Sequence, residues 1–117
     1  MCLSSSPIAG DQHILRALDK TLKLYNVYNF PNPFTNDTKF CFEVTSNANM
    51  KIDIYSLGGR KVWSYLNENM DAGYHSIEWN GKDSFNGEIA NGVYLYKIEV
   101  LGNNYKTSHI GKCAKYQ

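Results

Sequence analysis

The chain has 117 residues and a mass of 13.3 kDa, enough for one domain and a short appendage. With 43% hydrophobic and 14% aromatic residues, it can build a packed core and is not a disordered chain. Twelve basic against eleven acidic side chains leave a net charge of +1, which excludes a protein that holds nucleic acid or anionic lipid by bulk electrostatics.

Met1 to Gly10 has no basic region followed by an apolar run, so it does not read as a signal peptide. Cys2 invites a lipoprotein reading, but no apolar stretch precedes it. No segment is long and apolar enough to span a membrane. Either a cytoplasmic protein or the C-terminal part of a longer exported one accounts for this start. Residues 1–24 are expected to form a linker or short helix. Asp11 can cap a helix reaching Tyr25, because Leu15, Leu18 and Leu22 recur at intervals of three and four. Its apolar stripe would pack on the domain as a docked linker or bind a partner.

From Tyr25 to Gln117 the pattern changes to period two. Phe40, Phe42 and Val44 alternate with Lys39, Cys41 and Glu43, and Met50, Ile52 and Ile54 with Lys51 and Asp53. Further along, Ile77 and Trp79 alternate with Ser76 and Glu78, and Tyr94, Tyr96, Ile98 and Val100 with Leu95, Lys97 and Glu99. Such alternation sends one side-chain face into a core and the other into water. Turn residues separate the runs: Asn47-Ala48-Asn49, Gly58-Gly59, Asp71-Ala72-Gly73 and Gly102-Asn103-Asn104. The longest connection, Asn80 to Gly92, is dense in Gly, Asn and Asp. Short strands at this spacing predict an antiparallel sandwich or barrel. A parallel sheet would need helical crossovers, for which there is no room after residue 38. There is no internal repeat and no low-complexity tract.

Three stretches occur in a telling order. They are Tyr28-Asn29-Phe30-Pro31-Asn32-Pro33-Phe34, then Ile52 through Val62 with Gly58-Gly59-Arg60, then Ala72 through Ile98 with Trp79-Asn80-Gly81-Lys82-Asp83 and Asn91-Gly92-Val93-Tyr94. Together, over roughly residues 25–112, they resemble the immunoglobulin-like C-terminal domain of bacterial secreted proteins. Its relatives include the type IX secretion sorting domain and the Ig-like domain of flagellar hook-capping proteins. The resemblance implies an all-β, immunoglobulin-like antiparallel β-sandwich of about seven strands over 25–117.

Each motif also has a physical reading. Pro31 and Pro33 fix φ and remove two backbone donors, so the segment should enter as extended chain outside any ladder, with Phe34 dropping into one end of the core. Gly58-Gly59 permits a hairpin, with Arg60 exposed at the next strand's start. Trp79 should end a strand facing inward, with Asn80-Gly81 turning the chain at once. Asp83 should bond backbone amides in its own loop. Gly92 is expected where a side chain would crowd. Two departures from the family stand out: Asn80 takes the place of the usual Asp, and Lys115 breaks the apolar run of the last strand, which puts a working export signal in question.

No catalytic, cofactor or metal residues emerge. His13, His75 and His109 lack ligand spacing and are expected on the surface or strand edges. No nucleophile sits in a strained elbow. Cys41 should point outward as a surface thiol. The cysteines, Cys2, Cys41 and Cys113, show no C-x-x-C spacing, and a Cys41–Cys113 bridge stays open. Asp83-Ser84-Phe85-Asn86-Gly87-Glu88 lacks the ligand order of a calcium loop. Asn36-Asp37-Thr38 matches a glycosylation sequon but reads as a turn. Tyr25, Tyr28, Tyr55, Trp63, Tyr65 and Tyr105 are candidates for a carbohydrate platform, although scattered surface tyrosine is commoner on such folds.

The functional expectation is a non-catalytic C-terminal module of a larger exported bacterial protein. The resemblance implies recognition by a type IX secretion apparatus, or a spacer role beside a catalytic domain such as a cysteine peptidase. Recognition would act through folded surface and an exposed strand edge. The alternatives are a hook-cap-like assembly module and a carbohydrate-binding module with weak saccharide contact. No cofactor, nucleic acid or membrane span is implied, and the expected location is the cell surface or outside the cell.

Overall fold

The computed structural model describes residues 22–102 and 104–117. Seven strands follow one another: β1 (Leu24–Phe30), β2 (Thr38–Val44), β3 (Ala48–Ser56), β4 (Lys61–Met70), β5 (Gly73–Trp79), β6 (Gly92–Gly102) and β7 (Tyr105–Lys115). They form two antiparallel sheets, one ordered β1-β2-β5 and the other β4-β3-β6-β7. This is the immunoglobulin-like β-sandwich. Leu24 and Tyr25 belong to β1, so the tail of the expected helix is strand instead. Pairing explains the change, since Leu24 sits opposite Val44 and Tyr25 opposite Glu43. Residues 11–21 of that helix lie outside the described residues. Leu22, ahead of β1, is buried in the core.

The inward rows of β2, β3 and β6 meet between the sheets. Phe40, Phe42 and Val44 pack with Met50, Ile52, Ile54, Tyr94, Tyr96, Ile98 and Val100, all buried. Burying such a side chain contributes roughly 1.5–3 kcal/mol. Trp79, fully buried, is the hub of the aromatic cluster. Ring centroids of Phe34, Trp63 and Phe40 lie 5.3, 5.8 and 6.2 Å from it.

β4 departs from simple alternation. Ile54 pairs with Trp63 but Tyr55 pairs with Lys61, leaving Val62 as an extra residue in a bulge. Val62 is therefore buried while Trp63 and Tyr65 also pack against the core.

Several turns follow the expected chemistry. The β3–β4 hairpin closes through Gly59 N–H donating to the Ser56 carbonyl at 2.9 Å and Ser56 N–H to Arg60 O at 2.9 Å, with Gly59 at φ 94°. Gly92 differs in its cause. Nothing would crowd a side chain there, and it is the φ of +144° that favours glycine. Gly111, on β7, is selected by space, because the ring of Tyr96 lies across it where a Cβ would stand.

The cysteines also differ from expectation. Cys41 alternates away from the phenylalanines, yet it is only 2% exposed and is held in a disulfide. It is therefore not a surface thiol. Cys113 is free and buried, facing the core from β7. The bridge left open by the sequence does not join these two residues. Burial in apolar surroundings pushes the Cys113 thiol up to about 12, so it stays protonated and unreactive.

Candidate functional site

The connections Pro31–Asp37, Leu57–Arg60 and Asn80–Asn91 gather at one pole of the sandwich with the end of β7, as strand order and register require. Here the C-terminal segment is fastened by several independent contacts. Phe34 N–H donates to Ala114 O at 2.8 Å and Tyr116 N–H donates to Phe34 O at 2.9 Å, forming a parallel bridge along the outer edge of β7. The Asn32 amide continues it: Nδ2 donates to Lys112 O at 3.1 Å and Oδ1 accepts Ala114 N–H at 3.0 Å. Its two ends thus mimic another peptide unit of a strand. Asn91 does the same for the terminus, exchanging two hydrogen bonds of 3.1 Å with Gln117. Phe34, buried against Trp79, anchors this clasp in the core.

Lys115 does not break the last strand. It continues the inward row with Cys113, is 3% exposed, and pairs with Gly92 in unbroken register. Its aliphatic stem fills apolar space while the ammonium reaches Glu88 Oε1 at 3.1 Å and Ile89 O at 3.0 Å. The sequence pattern counts lysine as polar and so misses this use of its stem.

Lys115, through its hydrogen bond and then its charge, holds the Glu88 carboxyl below its ordinary value of 4.5. A depressed carboxylate contributes stability above its unfolded pKa, and this is lost as pH falls through the folded one. The thermal midpoint of the native chain should therefore drop more steeply on acidification below pH 4.5 than that of Glu88→Gln. Parallel melting curves over that window would contradict the pairing.

The Asn80–Gly92 loop is rigid by construction. Asp83 Oδ1 accepts the amides of Phe85 at 2.9 Å and Gly87 at 2.8 Å, as expected of an Asx turn. Trp79 Nε1 donates to Lys82 O at 2.8 Å, and Tyr94 OH donates to Ala90 O at 2.6 Å. At the tip Phe85 is 92% exposed. In the sequon, Thr38 is buried and its hydroxyl donates to Pro31 O at 2.9 Å, which makes it part of the pole's framework.

The candidate carbohydrate platform is not assembled. Trp63 and Tyr65 stack at 6.0 Å and turn inward because of the β4 bulge. Tyr25 and Tyr28 lie on β1, Tyr55 on β3 and Tyr105 at the start of β7, on different strands of two sheets. Trp63→Ala should therefore act as a core deletion, lowering stability by about 2–4 kcal/mol in thermal melts. A variant as stable as the native chain would contradict its inward placement.

His75 is half-buried, its Nε2 2.6 Å from Asp71 O. His109 is exposed against Tyr96, and His13 lies outside the described residues. Among the described residues no three His, Cys, Asp or Glu side chains could together hold a metal ion, and no helix is long and apolar enough to cross a membrane.

Known proteins carry the same architecture. A family model described as the secretion system C-terminal sorting domain matches residues 27–111. No curated protein sequence matches. Among solved structures, dimeric latent PorU from Porphyromonas gingivalis is 24% identical over 83% of this chain with a TM-score of 0.69. PorZ, described as an essential surface component of the type IX secretion system of the same bacterium, is 22% identical over 79% with a TM-score of 0.53. The chain spans only 10% of PorU and 12% of PorZ. FlgD from Xanthomonas campestris, a flagellar hook-capping protein, is 22% identical over 89% of this chain and 74% of its own, with a TM-score of 0.55. At these identities the likeness to each solved structure is one of fold.

Proposed function

The chain belongs to the secretion system C-terminal sorting domain family, and from that membership we propose that it is the non-catalytic sorting module of a longer exported bacterial protein. The family marks proteins for the cell surface or the medium. The match carries the reading because it runs from within β1 to within β7 and so takes in nearly the whole sandwich. The partner is the type IX secretion apparatus, which would bind the folded unit. The intact β7 register supports a working last strand despite Lys115. A spacer role beside a neighbouring domain is compatible with the same fold. The likeness to FlgD concerns fold and by itself supports no hook-cap role.

The test is a fusion of the whole chain behind an export signal and a reporter in a type IX-competent bacterium. Sorting predicts reporter at the surface or in the medium. Reporter confined to the periplasm would contradict sorting and leave the spacer role.

A further inference from the structure

Among the described residues, the outer edge of β7 is closed at one end and open at the other. At the closed end the backbone groups of Lys112, Ala114 and Tyr116 point away from β6, toward Asn32 and Phe34. The β6–β7 register runs without a shift from Gly92↔Lys115 to Gly102↔Tyr105. In an antiparallel pair the outward groups recur at every second residue. The N–H and C=O groups of Lys106, Ser108 and Ile110 therefore also face outward, and none is hydrogen-bonded among the described residues. β1 passes near β7 but is laddered to β2.

The chemistry around this open half is specific. Ile110 is 63% exposed, an unusual residue for an unprotected edge. It shares the outer face with Lys106 and Lys112, and its register partner on β6 is Lys97. Lys106 pairs with Glu99 at 3.0 Å, while Lys112 has no ion pair among the described residues. A second copy of β7 is a poor occupant. Antiparallel self-pairing about Ser108 would set Ile110 opposite Lys106 and gather the lysines of both copies on one seam.

We propose that the open half of β7, Tyr105–Gly111, docks one extended segment of a partner protein, apolar at its centre and carboxylate-bearing at both ends. The incoming strand pairs with the outward groups of Lys106, Ser108 and Ile110. Its apolar residue covers Ile110, and its carboxylates meet Lys106 and Lys112. Asn32 and Phe34, already seated on the same edge, stop it from extending further. This is strand addition to a sheet edge, in which main-chain bonds give affinity and alternate side chains give selectivity. The pairing stands independently of the sorting reading; only its use in export rests on that reading.

The test titrates the full-length, isotope-labelled chain with a short synthetic peptide of alternating valine and threonine ended by glutamates. Amide resonances of Lys106, Ser108 and Ile110 are expected to shift and gain exchange protection. The same peptide N-methylated at alternate residues should give neither effect. Ser108→Pro removes an outward donor without touching the β6 ladder, and should weaken binding about ten-fold. Lys112→Glu should weaken it about three-fold and reverse the preference toward a lysine-ended peptide, which keeps the test open even where the proline variant misfolds. Absence of shifts, shifts that survive N-methylation, or the same amides protected in a peptide-free dimer would each overturn the proposal. Peptide binding that persists beside a failed reporter fusion counts against sorting alone. Lost binding beside intact export counts against the docking edge alone.

Discussion

Replacing Trp79 with alanine is expected to cost about 3–5 kcal/mol, the range for deleting a large buried aromatic. Trp79 is fully buried and lies within aromatic contact of Phe34, Phe40 and Trp63. Those side chains come from different segments, so neighbours cannot collapse into the cavity without moving both sheets. The substitution also removes the indole donor to Lys82 O, which starts the rigid Asn80–Gly92 loop. In a domain of this size each kcal/mol shifts the thermal midpoint by about 4–8 °C, so a fall of roughly 12 °C or more is predicted by calorimetry. Tyr74→Ala, at an exposed site on β5, should stay within about 0.5 kcal/mol of the native chain. Equal losses at the two positions would contradict this account of the core.

Gly81→Ala should rank next, at about 3 kcal/mol or more. Gly81 has φ +75° and packs so closely on the Pro31–Asp37 segment that a Cβ would overlap the Asn36 carbonyl oxygen and lie 3.0 Å from the Phe34 ring. The backbone strain alone costs about 1–3 kcal/mol. Relieving the overlap must push Asn36 and Phe34 away, and Phe34 is what clasps the end of β7. Chemical denaturation should therefore show the loss, and hydrogen exchange should speed up at Tyr116, whose amide Phe34 accepts. Gly58→Ala is the control, since its nearest neighbour would be Ser56 Oγ at 3.9 Å. Similar stabilities for the two variants would contradict both the backbone strain and the overlap at Gly81.

The contrast between these positions shows what a sequence can reveal about this fold. β2, β3 and β6 are plain in the alternation because each is central, with one face against the opposite sheet. Trp79 and Phe34 are legible as large apolar residues beside turn formers. β4 is an edge strand with a bulge, and one extra residue moves Trp63 from the face that alternation would assign to it. Lys115 is misread because a period-two pattern treats a side chain as wholly polar or wholly apolar. Asp83 is legible because its partners are two and four residues away. The clasp is not, because Asn32 and Ala114 are 82 positions apart. The tight approach of Gly81 to Asn36 is hidden for the same reason.

These observations join the fold to the proposed role. The segment that would serve recognition, the last strand, is the last to be paired along the chain, and its end is closed only when the Asn32–Phe34 segment, Glu88 and Asn91 are in place. A partner that reads the finished β7 edge thereby reads a completed sandwich. The near-neutral net charge of +1 fits this mode of binding, since selectivity would come from strand geometry and a few local charges.

Export of the reporter fusion carrying Trp79→Ala, compared with the native chain, tests this most directly. If the apparatus recognises the folded sandwich, the native fusion reaches the surface or medium while the Trp79→Ala fusion accumulates full-length in the periplasm. Equal delivery of both fusions, with the variant shown to be unfolded by proteolysis, would mean that a linear segment is read and that the sandwich is dispensable for sorting.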